Sequence, residues 1–252
     1  MKKVYSKFTK ERSRKFQIET AIYETENGER LVSKEALWPE GQPHVQAMFQ
    51  NYSSHPNKEM YVACRQEDNK IIFPYVTGKS YYDQVLEAIE QHSMAGVKSV
   101  LAQYQILQNA LYPVQNPMEV SEEFRHVFGT VAHPESYMAA ANVNIDLTLD
   151  NLIISEGKTQ IIDYEWIFDF MIPVKFPVYR AIFALIEKHR KQLEDFMVPE
   201  TLYDDFLITQ EDRKVFAEMN EKFGEYVEGG TESYHKAVVG YRKHVWELNN
   251  LL

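Results

Sequence analysis

Apolar and polar positions alternate with a period of two over residues 15–23, KFQIETAIY, which puts Phe16, Ile18 and Ile22 on one side. That alternation predicts a half-buried strand. Asn27-Gly28 follows, a dipeptide that tolerates positive φ and marks a tight hairpin, and then a second strand, RLVSKEAL. Over 42–53 the spacing becomes helical, with Val45, Met48 and Phe49 on one face. Two further runs, MYVACRQ and KIIFPYV, flank the polar turn Glu67-Asp68-Asn69 and predict another hairpin. Residues 1–76 therefore read as antiparallel sheet with one helix.

After Thr77-Gly78-Lys79-Ser80 the pattern turns helical. Helices are predicted over 80–92 and 94–111, with a break near Ser93 and Gly96, and Pro113 and Pro117 end the second. Residues 120–140 suggest a short helix and a loop. Two short apolar runs follow inside 142–166, then helices over 177–197 and 209–224. A last helix over 231–252 carries Tyr234, Val238, Tyr241, Val245, Leu248 and Leu252 in steps of four and three. Three heptads favour packing on the chain's own domain, with a coiled coil as the alternative. The expected fold is α+β and bilobal, with a small antiparallel-sheet lobe over 1–76 and a larger helical lobe over 77–252.

A length of 252 residues suits one large domain or two lobes sharing a core. A net charge of -10 argues against a role in coating nucleic acid, because phosphate backbones need clustered cations. The single cysteine, Cys64, allows no internal disulfide and predicts a reducing compartment, hence the cytoplasm. It falls mid-strand and reads as packed. The start of the chain lacks the long apolar segment of a secretory signal. The most apolar stretch, FDFMIPVKFPVYRAIFALI, is interrupted by Asp169, Lys175 and Arg180, so no transmembrane segment is expected. The first fifteen residues hold seven Lys or Arg and one acid, Glu11. They read either as a solvated strand edge or as a loop meeting phosphate or an anionic surface. The scattered histidines argue against a zinc site, and no Gly-x-Ser-x-Gly elbow is present.

The chemistry-bearing stretch is 142–166, NVNIDLTLDNLIISEGKTQIIDYEW. If LIIS and TQIID pair about Gly157, Asn151 and Asp163 each lie six positions from the turn and meet at the hairpin's open end. A turn of different length shifts this register by a residue or two. An amide oxygen beside a carboxylate suits a hard cation such as magnesium. Asp146, on the entering loop, is placed to accept a proton from a substrate hydroxyl or to orient it. Asp150 receives no role.

Asp146-Leu147-Thr148-Leu149-Asp150-Asn151 resembles the catalytic loop of the protein-kinase-like superfamily, and Asp163-Tyr164-Glu165 stands where its metal-binding motif would be. The variant IDYE looks more like the small-molecule branch, the aminoglycoside and choline phosphotransferases. NIDLTLDN with IIDYEW and IPVKFPVYRAI is also similar to kinase-like domains beside glycosyltransferases or methyltransferases in bacterial surface-polysaccharide proteins. The resemblance implies ATP and magnesium, a small-molecule or glycan hydroxyl as acceptor, and a glycosyltransferase or methyltransferase as partner. It implies Asp146 as the catalytic residue, Asn151 and Asp163 as metal ligands, and Lys34 on the nucleotide phosphates. Val32 would form part of an adenine ceiling, and Tyr75 or Val76 would donate a hinge amide, since Pro74 has none.

Three departures stand out. Thr9–Lys15 contains no glycine where the phosphate loop would be, so Arg12, Ser13 or Arg14 would have to meet phosphate. Helix 42–53 has no acid to pair with Lys34: Gln46 sits in the expected region, so either the ion pair is absent or Glu40 supplies it from the helix start. Asn144 stands where the family has histidine. These departures keep a second reading open, a pseudokinase that binds nucleotide or a partner without catalysis, and a third, nucleotidyl transfer.

Overall fold

The computed structural model describes residues 1–233, 235 and 236. The predicted heptad positions from Tyr234 to Leu252 lie outside the described residues. The N-terminal part is an antiparallel sheet built from β1 (Lys2–Phe8), β2 (Ile18–Glu24) and β3 (Arg30–Ala36), then α1 (Gln42–Ser54), β4 (Arg65–Glu67) and β5 (Lys70–Pro74). The strand order is β1-β2-β3-β5-β4. Ile18, Ile71 and Phe73 are buried from the sheet in one cluster with Val45 and Met48 of α1. The lysine-rich start forms β1, an exposed edge strand bulged between Lys3 and Tyr5. Charge and a bulge are what keep such an edge from pairing with other chains.

One predicted strand is mostly absent. In MYVACRQ only Arg65 and Gln66 are extended in the sheet; Lys58–Met60 is a 3-10 turn and Tyr61 makes an isolated bridge to Ile161. Cys64 therefore lies outside any strand, half-buried with a free thiol. The segment is diverted because Tyr61 and Val62 turn inward to join the core.

The rest of the chain is mainly helical. It begins with β6 (Lys79–Ser80), α2 (Tyr81–Glu90) and α3 (Met94–Leu111), and continues through β7 (Asn116–Pro117), α4 (Glu122–Phe128), β8 (Met138–Ala140) and β9 (Val143–Asn144). Next come β10 (Leu152–Ser155), β11 (Lys158–Ile161), β12 (Ile167–Phe168) and β13 (Ile172–Pro173). The helices α5 (Lys175–Glu194), α6 (Thr201–Asp204) and α7 (Gln210–Glu228) complete it. Helix starts follow capping chemistry: Ser80 with Asp83 and Thr209 with Asp212 form capping boxes, and Ser93 and Ser121 cap α3 and α4. The break predicted near Ser93 is thus a cap, and α5 departs from helical geometry at His189.

The connector is seated tightly. A Cβ on Gly78 would come 2.2 Å from the Ile154 carbonyl oxygen, so only glycine lets β6 lie against β10. The hairpin β10–β11 thereby becomes a three-stranded sheet, β11-β10-β6. One continuous apolar core runs from Ile18 and Met48 through Leu101 and Tyr104 to Ile182 and Phe216. The α+β architecture expected from the sequence, a sheet-rich N-terminal part and a helical C-terminal part, is the one observed. Among the described residues no helix is long and apolar enough to cross a membrane.

Candidate functional site

The hairpin turn is tighter than the sequence suggests. Ser155 pairs with Lys158, so the loop is the two residues Glu156-Gly157, with φ 51° and 74°. Two positive φ values identify a type I′-like turn, whose twist matches the strands it joins. The register therefore shifts by one. Leu152 faces Ile161, Asn151 accepts the Ile162 amide at 3.0 Å, and Asp163 lies one step beyond the expected pairing.

Asp146, Asn151 and Asp163 are nevertheless joined by one hydrogen-bond network. Asn144, fully buried, is its centre. Its Nδ2 donates to the Asp163 carbonyl at 3.0 Å, and its Oδ1 accepts the Asp146 amide at 3.0 Å. The Asn151 Nδ2 donates to the Asp146 carbonyl at 2.9 Å. From below, α3 pins the same loop: Tyr104 donates to the Leu147 carbonyl, and the residue just past α3, Tyr112, accepts the Asn144 amide on its hydroxyl. Asn144 thus ties the Asp146 loop to the Asp163 backbone.

Lys34 reaches this loop from β3. Its buried ammonium donates to Asp163 Oδ1 at 2.7 Å and to Glu165 Oε2 at 3.5 Å. Burial opposes the charge on Lys34, but Asp163 and Glu165 outweigh it and raise the pKa. The acid paired with Lys34 besides Asp163 is therefore Glu165. Neither Glu40 nor Gln46 takes that role. Glu165, nearly fully buried, also accepts from Arg12 and bonds His44 Nε2 at 2.8 Å. Burial would raise its carboxyl, yet Lys34, His44 and Arg12 hold it well below 4.5. Helix α1 still contributes to the cluster, through a histidine.

A cavity of about 200 Å³ opens beside Lys34 and Asp163. Val32, Phe73, Tyr75 and Val76 line it from the sheet side, Ile153 and Ile162 from the hairpin. The Tyr75 amide is already bonded to the Arg30 carbonyl at 3.1 Å, so Tyr75 lines the cavity without a backbone donor to offer. The Val76 amide remains as the candidate hinge donor.

The segment between β1 and β2 does not lie along this cavity. It is drawn toward α7: the Ser13 amide donates to the Val227 carbonyl at 2.9 Å, and the Lys15 ammonium sits 4.5 Å from the Tyr226 ring. Arg12 points into the charge cluster at Glu165 and lies over Trp166. Arg14 stacks on Trp38, and the Ser13 hydroxyl is buried without a partner. Of the candidates for phosphate contact, Arg12 alone is brought to Glu165, Lys34's second carboxylate.

Asp146 is largely enclosed. Desolvation raises its pKa to about 6, against the opposing pull of Arg180. Arg180, on α5, donates to Asp146 Oδ1 at 3.1 Å. Sequence reasoning noted Arg180 only as an interruption of an apolar run. A cation flanked by apolar residues in such a run must find a partner if it is buried, and that was the available signal. Glu165 was present in the quoted motif, two residues from Asp163, but no sequence rule tied it to Lys34.

Asn151 and Asp163 are the candidates for holding a hard cation. The Asn151 amide nitrogen is committed to Asp146, which leaves Oδ1 as its acceptor, and Asp163 has only Oδ1 engaged by Lys34 and the Glu165 amide. Two such oxygens, completed by water and phosphate, are a common magnesium arrangement.

The chain matches no family model and no curated protein sequence. Among solved structures it is similar to the macrolide 2′-phosphotransferase of Brachybacterium faecium, at 10% identity over 93% of this chain and 87% of that one, with a TM-score of 0.38. It is also similar to an aminoglycoside phosphotransferase of Alicyclobacillus acidocaldarius, at 12% identity over 93% and 89%, with a TM-score of 0.35.

Proposed function

We propose that the protein is an ATP- and magnesium-dependent, kinase-like phosphotransferase acting on a hydroxyl of a small-molecule or glycan acceptor. The observation that carries this reading is the meeting of Lys34 and Asp163 at the end of an apolar slot, with Asp146 tied to Asp163 through Asn144. Residues 1–76 would supply the nucleotide slot and 77–252 the catalytic loop. Val32 and Ile153 would enclose the base, the Val76 amide would meet its edge, and Lys34 would hold the phosphates. In place of glycine-rich backbone, Arg12 would have to swing from Glu165 to serve the phosphate end, while Ser13, held against α7, would not reach it. Asn151 and Asp163 would hold magnesium, which when bound neutralises phosphate charge.

Asp146 would hold the acceptor hydroxyl. The hydroxyl oxygen forms a bond to the terminal phosphorus, the bond from that phosphorus to the bridging oxygen breaks, and the proton passes to Asp146 or to the transferred phosphoryl group. Positioning and charge neutralisation would supply most of the acceleration. A small acceptor is favoured because β12 and β13 fill the short span from Asp163 to α5. That span has no room for a long segment to dock a protein substrate. A glycan acceptor and a glycosyltransferase or methyltransferase partner rest on the resemblance of NIDLTLDN and IIDYEW alone, and a cytoplasmic location on the single cysteine, Cys64.

The second reading is a pseudokinase. The pairing of Arg12 with Glu165 and of Lys34 with Asp163 and Glu165 favours it, since both cations offered for phosphate are already engaged by carboxylates. Mass analysis after incubation with ATP, magnesium and a panel of hydroxyl acceptors separates the readings. Phosphate added to an acceptor supports the proposal, AMP added means nucleotidyl transfer, and no product with retained ATP binding means a pseudokinase.

A further inference from the structure

The Asp146 carboxylate is not held by its own loop. The backbone bonds around it fix the Asp146 amide and carbonyl, but its Oδ1 takes its hydrogen bond from another element, α5. Arg180 makes three bonds at once. Nη2 donates to Asp146 Oδ1 at 3.1 Å, Nε donates to the Ile145 carbonyl at 2.9 Å, and Nη1 donates to Asn220 Oδ1 on α7. Its guanidinium lies 5.8 Å from the Phe176 ring and 5.2 Å from the Phe223 ring.

From this arrangement we infer that Arg180 is a positioning residue for the proposed transfer: it orients the Asp146 carboxylate toward the acceptor, with α7 bracing it through Asn220. The inference rests on the phosphotransferase reading above. A planar guanidinium can bond a backbone carbonyl and the next residue's carboxylate with two of its edges, which fixes the rotation of that carboxylate. With Oδ1 occupied, Oδ2 is the oxygen left to meet an acceptor hydroxyl. A lysine at the same place is a point charge. It can satisfy Asp146 or Ile145, but it cannot form the same fork. The two phenylalanines limit the guanidinium's freedom to tilt, and Asn220 fixes its far end. The sequence signal was a cation set among apolar residues, VYRAIF, which would be costly to bury without these partners.

A purely structural tie between α5, the loop and α7 would lower stability and leave the turnover of folded protein unchanged. A positioning role separates kcat from KM. Arg180 does not line the nucleotide cavity, so nucleotide binding should be spared. The test measures ATP turnover, with water and with acceptors, for wild type, Arg180→Lys and Asn220→Ala, together with Mg–ATP affinity by calorimetry and thermal melting. Arg180→Lys is expected to lose on the order of 100-fold in kcat, the scale of a small misplacement of a reacting group, with affinity changed less than about threefold. Asn220→Ala should move the same way by a smaller factor, and it stands in if Arg180→Lys fails to fold. Wild-type turnover with kcat unchanged in the folded variants overturns the role of Arg180 and leaves the phosphotransferase reading standing. Mg–ATP binding without any wild-type turnover, or no binding at all, overturns both.

Discussion

Glu165 is where the two halves of the site meet, and replacing it with glutamine tests that junction. Its carboxylate is nearly fully buried and faces donors from three elements: Arg12 from the β1–β2 segment, Lys34 from β3 and His44 from α1. Glutamine keeps the shape and one acceptor oxygen but turns an NH2 group toward donors and removes the charge. Breaking a buried ion cluster by removing one partner costs about 3–5 kcal/mol. Lys34 keeps Asp163 at 2.7 Å and Arg12 is partly exposed, so the lower end, about 3 kcal/mol, is expected. For a chain of this size that corresponds to a fall in Tm of about 6–12 °C. The pH dependence has a definite sign. A carboxyl held below its ordinary value stabilises the fold above the unfolded-state pKa, and that stabilisation is lost as pH falls below it. The gap between wild type and Glu165→Gln should therefore be constant from about pH 6 to 8 and shrink below about pH 4. The assay is thermal melting across that range. A fall in Tm under about 2 °C, or a gap that persists unchanged at about pH 3, refutes the claim that this carboxylate binds the two halves as an ion.

Other substitutions report on separate parts of the structure. Asn144→Ala leaves the buried Asp163 carbonyl and Asp146 amide without their side-chain partners; a loss of about 2–4 kcal/mol in urea unfolding is expected, and a loss under about 0.5 kcal/mol contradicts the network. Val32→Trp fills the slot, so Mg–ATP binding should disappear while Tm holds or rises; retained affinity places the nucleotide elsewhere. Glu228 has a buried, unpartnered Oε2, and desolvation, with Glu11 nearby, raises its carboxyl to about 7. Its charging opposes folding as pH rises from 4.5 toward 7, so Glu228→Gln should gain stability over wild type between about pH 5 and 8, read by melting. No change in that difference with pH rules out the raised carboxyl.

Much of the fold was legible because period and punctuation agreed. Asn27-Gly28 marked the β2–β3 turn, the break near Ser93 separated α2 from α3, and helical spacing placed α1, α3 and α7 within a few residues. The strand predicted over MYVACRQ failed because its apolar residues serve the core from irregular backbone, where alternation carries no information on pairing. The hairpin register slipped by one because Glu156 adopts a left-handed conformation that its residue type does not advertise. Asp146, Asn151 and Asp163 could be grouped from the sequence because their spacing is local. Glu165, His44 and Arg180 were not, because their partners lie far away in sequence, and only a folded chain brings Lys34 to Glu165 or Arg180 to Asp146. The placement of Arg12 at Glu165, away from the slot, follows from the docking of its segment on α7, a contact no sequence pattern foretold.

The claim that Lys34 and Asp163 form the phosphate and metal end of a nucleotide site is tested most directly by calorimetric titration of ATP, with and without magnesium, into wild type and Asp163→Asn. Wild type should bind ATP with an affinity that rises when magnesium is present, and Asp163→Asn, still folded by melting, should lose the magnesium-dependent part. Absence of ATP binding in wild type, or identical magnesium dependence in the two proteins, would contradict it.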